Sequence, residues 1–254
     1  MNYINGKFVV EPFSEGILYG NGVFETILVE EGAGSNLEEH YRRLLKGTEV
    51  LGISFEEPYR VFKKHVDKFI ERSHKKRYAL RISVVKKGYT YDLLISERDI
   101  PYGEEDYKKG FSLKVGSVLK NPTSPMTYIK SICYMENLLS LKEARSEGYN
   151  EVIYLNFDGK ICEGAISNIF FVKNGVVKTP EAACGLLEGT MRAEVIERLK
   201  SLGVEVEEGS YILEEIMEAE EVFLTNSLME IMPVGDIEGS KKNARYIYKL
   251  LKNN

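Results

Sequence analysis

Three cysteines, Cys133, Cys162 and Cys184, are all that the 254 residues contain. An odd, scattered set offers neither a disulfide framework nor a metal-ligand spacing, so no metal is expected. It suits a reducing, cytoplasmic compartment. No apolar run approaches the ~20 residues that a membrane span needs. The opening stretch, Met1-Asn2-Tyr3-Ile4-Asn5-Gly6, lacks the charged-then-apolar layout of a secretory signal. Basic charge is in deficit: 34 lysines and arginines face 39 acids, for a net charge of −5. Such a surface repels phosphate backbones, so neither nucleic acid nor a membrane is an expected partner. The best basic run, His74-Lys75-Lys76-Arg77, reads as a solvated turn between a helix and a strand. Internal repeats and low-complexity tracts are missing too.

What remains is an ordinary globular balance, 43% hydrophobic and 29% charged. The length suffices for one large domain or two modest ones. Strands are expected over 7–10 and 18–29, the latter for its β-branched and aromatic run Val23-Phe24-Glu25-Thr26-Ile27-Leu28-Val29. Leu37, Tyr41, Leu44, Leu45 and Leu51 recur at helical spacing behind Asn36, a candidate N-cap. A second helix is expected over 58–70 with proline at its start. Alternation over 78–85 and 91–95 around Lys86-Lys87-Gly88 reads as a hairpin.

Asn121-Pro122-Thr123-Ser124-Pro125 is the densest breaker cluster and is read as an interdomain linker over 121–126. It divides a smaller N-terminal domain, 1–120, from a larger one, 127–254. Beyond it, helices are expected over 131–147, 190–202, near Leu213 and over 240–251. Strands are expected over 151–156, 167–172, 176–179, 204–207 and 222–224. The fold class is α+β in two domains.

Four local features bear on chemistry. Lys130 is expected to open the helix over 131–147. The positive end of a helix presses an ammonium toward its neutral amine, which a Schiff-base nucleophile needs; the alternative is a solvent-facing lysine. Glu163 sits among small and apolar residues after a turn at Asp158-Gly159. Such a carboxylate wants a cationic partner, for example a protonated pyridine nitrogen; the alternative is an exposed strand-end acid. Gly185-Leu186-Leu187-Glu188-Gly189-Thr190-Met191 leads into a helix whose first N–H groups and dipole favour a phosphate, although Thr190 also fits as an ordinary N-cap. Leu224-Thr225-Asn226-Ser227 offers further donors, and Arg43 offers an opposing charge. A buried Arg43 requires an anion; a surface Arg43 merely snorkels.

Taken together these residues resemble the class IV aminotransferase superfamily, the fold-type-IV, D-amino-acid-aminotransferase-like enzymes. The resemblance spans nearly the whole chain: Tyr19 to Thr26, His40-Tyr41-Arg42-Arg43-Leu44, Glu163-Gly164 with Ser167-Asn168-Ile169-Phe170, Thr179-Pro180, Leu187 to Arg192, Ala219 to Phe223, and Glu230 to Val234. It implies a pyridoxal 5'-phosphate cofactor joined to Lys130, which also shuttles protons at the substrate carbon. It implies that Glu163 binds the ring nitrogen and that Leu187 packs on the ring. Arg43, the backbone at Thr190 and Met191, and Asn226 with Ser227 are implied to hold the phosphate. A homodimer acting on a small amino-acid-like substrate, with the site between the domains, is implied as well. Glu188 stands where proline is common and Met191 where threonine is common, the second change removing a hydroxyl from the phosphate's surroundings.

Within that superfamily the run Thr225 to Val234 resembles the 4-amino-4-deoxychorismate lyases, as do Met191-Arg192 and the setting of Lys130. Their reaction releases pyruvate and leaves 4-aminobenzoate, in the folate pathway. The short stretch after Pro233 is unlike branched-chain aminotransferases, and Phe24 stands where D-amino-acid enzymes usually have tyrosine. A transaminase using 2-oxoglutarate is the alternative. The lyase substrate carries two carboxylates, so Arg81, Lys86 and Lys87 are candidate anchors, the two lysines reading equally well as solvated turn residues, with Phe24 and Arg81 the named substrate residues. A non-catalytic scaffold of the same fold is a third reading, opposed by the presence of both Lys130 and Glu163.

Overall fold

The computed structural model describes residues 2–4, 7–10 and 13–253. Of the N-terminal stretch read above, Met1, Asn5 and Gly6 lie outside them. The fold is mixed α+β. The chain forms two compact units, the first comprising 1–100 with 129–134 and the second 101–128 with 135–254. Residues 121–126 fall inside the second unit.

In the first unit a short ribbon pairs β1 (Asn2–Ile4) with β2 (Lys7–Val9). Next comes a helix, α1 (Glu15–Tyr19), where the sequence suggested that a strand begins at Leu18. The Ser14 hydroxyl accepts from the Ile17 N–H at 3.3 Å, and Gly20 closes the helix at a φ of 69°. Those are N-cap and C-cap signals, and together they delay the β-branched strand until Gly22. That strand, β3 (Gly22–Glu30), joins β4 (Ala33–Gly34), β5 (Arg77–Lys87) and β6 (Thr90–Arg98) in an antiparallel sheet of order β4-β3-β5-β6.

Two helices, α2 (Leu37–Val50) and α3 (Tyr59–Ile70), belong to the same unit. Leu37, Tyr41, Leu44, Phe62 and Val66 join Ile27, Leu80 and Ile82 in one core. Each fully buried aromatic or aliphatic side chain there contributes about 1.5–3 kcal/mol. Asn36 adopts a left-handed conformation with no side-chain cap bond, so its role at the start of α2 is a turn rather than a cap. Of the basic run, residues 74–76 form an irregular link into β5 and Arg77 is its first residue, with Lys75 paired to Asp99 at 2.6 Å.

The second unit holds α4 (Glu104–Lys109), β7 (Phe111–Lys120), α5 (Met135–Ser146), β8 (Glu151–Asn156), β9 (Asn168–Lys173), β10 (Val176–Pro180), α6 (Thr190–Ser201), β11 (Val206–Gly209), α7 (Leu213–Met217), β12 (Glu221–Asn226), β13 (Glu230–Ile237), β14 (Ser240–Lys241) and α8 (Tyr246–Asn253). Its mixed sheet runs β11-β10-β9-β12-β13-β7-β8, with β14 beside β13. One core lies among Leu113, Ile153, Ile169, Val222 and Met232, and another among Phe170, Phe223, Val195, Leu199 and Leu251.

Two helices begin later than their sequence suggests, each for a visible reason. The helix expected from Ser131 starts at Met135, because the preceding backbone is spent on β3. Phe24 donates its N–H to the Lys130 carbonyl at 2.8 Å, and Ile132 donates to Gly22 at 3.0 Å. Lys130 therefore lies in an extended segment, not at a helix N-terminus, and the helix-dipole argument for its amine does not hold. The last helix starts at Tyr246 rather than Ser240. Buried Glu221 accepts the N–H groups of Ile247 and Tyr248, both at 2.8 Å, which caps the helix there. Upstream, the Lys242 ammonium is fixed on the Met217 and Ala219 carbonyls.

Candidate active site

In the first unit, β3 and the 129–134 segment bring Phe24 and Lys130 together. The Lys130 ammonium lies 4.7 Å from the Phe24 ring centre and 5.6 Å from that of Tyr134. Arg81, opposite Thr26 on β5, places its guanidinium carbon 3.8 Å from the same Phe24 ring. Tyr134 meets Phe24 edge-on, with ring centres 5.3 Å apart. Arg81 is half-buried, and among the described residues no carboxylate lies in ion-pair range of it. Burial, and then Arg98, push its guanidinium below the usual arginine range, although it stays charged. An anion arriving here would relieve both effects. Lys87, the last residue of β5, lies 3.8 Å from Asp92.

Arg43 has its anion within the chain. Its Nε donates to Glu25 Oε1 at 2.8 Å and its Nη2 to Oε2 at 2.6 Å, while His40 Nδ1 meets the same Oε2 at 2.6 Å. Burial would raise the Glu25 carboxyl, but Arg43 and then His40 outweigh it and hold it at about 2. Burial pushes His40 down despite Glu25, so its imidazole is neutral at neutral pH. Glu25 and His40 were not singled out from the sequence. An acid inside a β-branched strand and a histidine three residues before Arg43 on one helix were the signals available.

The second unit gathers the remaining candidates. Glu163 is only 7% exposed, not an open strand end. Its Oε2 accepts the Leu187 N–H at 2.9 Å, and its backbone carbonyl accepts the Tyr154 N–H at 2.8 Å. Leu187 is fixed again by Asn168, whose Nδ2 donates to the Leu187 carbonyl at 2.8 Å. Gly189 is the N-cap of α6 and carries no side-chain cap, so Thr190 is the first helical residue rather than the cap. Any larger residue at Gly189 would place Cβ 2.1 Å from Asn168 Oδ1. The Thr190 and Ser227 hydroxyls are 3.3 Å apart. Met191 turns its side chain into the core with Phe170 and Phe223, leaving only its backbone on the first turn. Asn226 folds its own turn, accepting the Leu228 and Met229 N–H groups at 2.9 Å each and donating to Ile166 and Tyr102.

Beneath Glu163 lies a second buried acid. Glu151 accepts from the Val152, Ala165 and Ile166 N–H groups and from the Ser167 hydroxyl, at 2.9–3.1 Å. Burial nevertheless raises its carboxyl. These bonds shape the loop after Glu163, and Gly164 has no room for a Cβ beside Ser167 Oγ and Glu151.

A nearly buried carboxylate, an uncapped helix start and two adjoining hydroxyls suit an aromatic cation and a phosphate on one ligand. The residues of the second unit therefore fit the ring nitrogen and phosphate of pyridoxal phosphate. Among the described residues, no group of three or more His, Cys, Asp or Glu could hold a metal ion, and no helix is long and apolar enough to cross a membrane. All three cysteines are free, Cys133 exposed and Cys162 and Cys184 buried.

Comparison with known proteins agrees with this chemistry. The family described as Amino-transferase class IV matches residues 22–237. The chain is 34% identical over 257 residues to the aminodeoxychorismate lyase of Bacillus subtilis (strain 168), covering 94% of this chain and 87% of that protein. It is also 34% identical over 248 residues to a protein of Aquifex aeolicus (strain VF5) named "Probable branched-chain-amino-acid aminotransferase", covering 88% and 78%. A solved branched-chain aminotransferase from the archaeon Thermoproteus uzoniensis, with norvaline, superposes with a TM-score of 0.88 at 27% identity, covering 94% of this chain and 86% of that one.

Proposed function

The chain belongs to the class IV aminotransferase family, whose members are pyridoxal-phosphate-dependent transaminases or lyases, and on that premise we propose that it is a 4-amino-4-deoxychorismate lyase. The observation that carries this reading is the shared ring of Phe24. One cation against it, Lys130, is the candidate attachment point and proton carrier. The other, Arg81, is a half-buried charge suited to a carboxylate. A half-buried guanidinium with no carboxylate of its own among the described residues suits a substrate that brings carboxylates to it, as aminodeoxychorismate does with two. The Bacillus subtilis relative, matched over 94% of this chain, supports the same choice.

Pyridoxal phosphate, when bound, supplies an electron sink for the pair left as a proton departs from the carbon beside the substrate amine. Glu163 holds the ring nitrogen cationic. Leu187, fixed by Glu163 and Asn168, packs on the ring. Arg43, the backbone at Thr190 and Met191, and the Asn226–Ser227 turn hold the phosphate. Lys130 takes the ring proton of the substrate. The enolpyruvyl ether bond breaks, the ring becomes aromatic, and pyruvate and 4-aminobenzoate account for every atom of the substrate. The product lies on the route to folate.

The enzyme acts as a homodimer in the cytoplasm, where free thiols persist. Support for the dimer comes from an exposed apolar row, Met135, Leu138 and Leu139, on α5.

Purified protein reconstituted with pyridoxal phosphate and given aminodeoxychorismate, with no keto acid present, should release pyruvate. Glutamate formed from an amino-acid donor and 2-oxoglutarate, with no pyruvate released from aminodeoxychorismate, would assign the chain to the transaminases. A scaffold without catalysis would give neither pyruvate nor a visible absorption band.

A further inference from the structure

Lys120, the last residue of β7, reaches across the sheet toward Glu163. Its side chain is only 11% exposed, and its ammonium lies 3.7 Å from Glu163 Oε1. The ammonium also sits 4.5 Å above the Tyr154 ring and donates to Asn137 Oδ1 at 3.2 Å. Tyr154 is fully buried on β8, the strand beside β7, and its N–H is bonded to the Glu163 carbonyl. Asn137 is held in turn, its Nδ2 donating to the Ala165 carbonyl at 2.7 Å, two residues past Glu163. A lysine this enclosed is held by its surroundings, since a four-carbon stem in the open would not settle in one geometry.

The two Glu163 oxygens are thus distinguished. Oε2 is fixed by the Leu187 N–H and Oε1 faces the Lys120 ammonium. We propose that Lys120 is a positioning residue for Glu163, fixing the carboxylate's rotation so that it meets the cofactor's ring nitrogen in one orientation. Lys120 touches neither substrate nor cofactor in this role; it acts through Glu163. The proposal rests on the reading that Glu163 holds the ring nitrogen.

The remaining contacts fit this role. The Tyr154 ring and the Asn137 amide oxygen satisfy the ammonium without adding a second negative charge. Glu163 is then the one carboxylate within ion-pair range of Lys120 among the described residues. A guanidinium at this position would keep the charge beside Glu163, with a somewhat different reach.

The test is a double-mutant cycle with Lys120→Met and Glu163→Gln, and Lys120→Arg as the charge-retaining control. Two quantities are read in each variant: the Kd for pyridoxal phosphate from the visible absorption, and kcat and KM separately. Thermal melting confirms that each variant is folded. In the wild-type background, Lys120→Met should change the cofactor Kd or the position of its absorption band, and lower kcat by roughly 10-fold with KM nearly constant, the scale of one close charge pair. In the Glu163→Gln background the same substitution should change the Kd and the band by less than about 2-fold. Lys120→Arg should recover most of the loss. Equal effects in both backgrounds would overturn the role of Lys120 while leaving Glu163 intact. A Glu163→Gln variant with wild-type spectrum and kcat would instead overturn the reading of Glu163, and the proposal with it.

Discussion

Arg43 grips Glu25 through two parallel hydrogen bonds, Nε to Oε1 at 2.8 Å and Nη2 to Oε2 at 2.6 Å. The arginine assigned to the cofactor phosphate is therefore held in place before any phosphate arrives. Glu25→Gln should loosen it. The variant leaves a partly buried guanidinium without its anion, and removing one partner of such a pair costs about 3–5 kcal/mol. Thermal melting of the unliganded protein should fall clearly, and the cofactor Kd should rise by roughly 10-fold or more. An unchanged Kd in a folded variant would show that Arg43 needs no such support.

The same cluster sets an acid limit on stability. His40 is held below its ordinary range, so the unfolded chain takes up that proton first as pH falls through the unfolded value near 6.5, and stability declines from there. Glu25 is depressed from 4.5 to about 2. Its contribution is complete above the unfolded value and is lost as pH falls toward the folded one, a swing of about 3 kcal/mol. Melting temperature against pH should therefore drop in two stages, and His40→Gln should remove the upper one. A single acid transition below pH 4 in both proteins would contradict this.

Lys130→Ala should abolish the visible band of the reconstituted protein, because the covalent link is assigned to the Lys130 amine. Borohydride treatment followed by mass spectrometry would locate the modified residue. Label found on another lysine would refute the assignment.

Arg81→Met should raise KM for aminodeoxychorismate by about 10- to 100-fold, on the scale of one lost charge-assisted bond, while leaving the cofactor spectrum alone. Steady-state kinetics on the two quantities separates an anchor from a structural arginine. Loss of the spectrum together with kcat would make Arg81 structural.

Gly189→Ala drives a Cβ to within 2.1 Å of Asn168 Oδ1. Either Asn168 lets go of Leu187 or the start of α6 moves. A loss of about 1–3 kcal/mol in stability is expected, with weaker cofactor binding. A variant melting like the wild type would mean that the loop adapts freely.

Much of this architecture was legible in the chain itself. β3, β5 and β8 announce themselves through β-branched and aromatic runs, and α2 and α6 through apolar spacing. Lys130 and Glu163 could be named from local chemistry and family resemblance. What stayed hidden was set by contacts distant in sequence. The helix start at Met135 depends on backbone bonds that join Lys130 and Ile132 to Phe24 and Gly22, partners that no window around Lys130 contains. β7 was not anticipated, since its alternation of Leu113, Val115 and Leu119 with lysines and serines is weak, and Lys120 went unnoticed with it. Glu25 was hidden for the opposite reason: its strand reads as apolar, and a paired acid inside it becomes sensible only once α2 brings Arg43 and His40 alongside.

The pairing of residues 130–132 along β3 also bears on how a ribosome releases this protein. The N-terminal sheet is nearly all encoded before Ile100, yet one stretch of its edge stays bare until residue 134 has emerged. A nascent chain paused in between displays the unpaired edge at Gly22-Val23-Phe24, the kind of edge that recruits chaperones or sticks to a neighbour. Fragments cut at Ile100 should therefore be less soluble than the intact polypeptide.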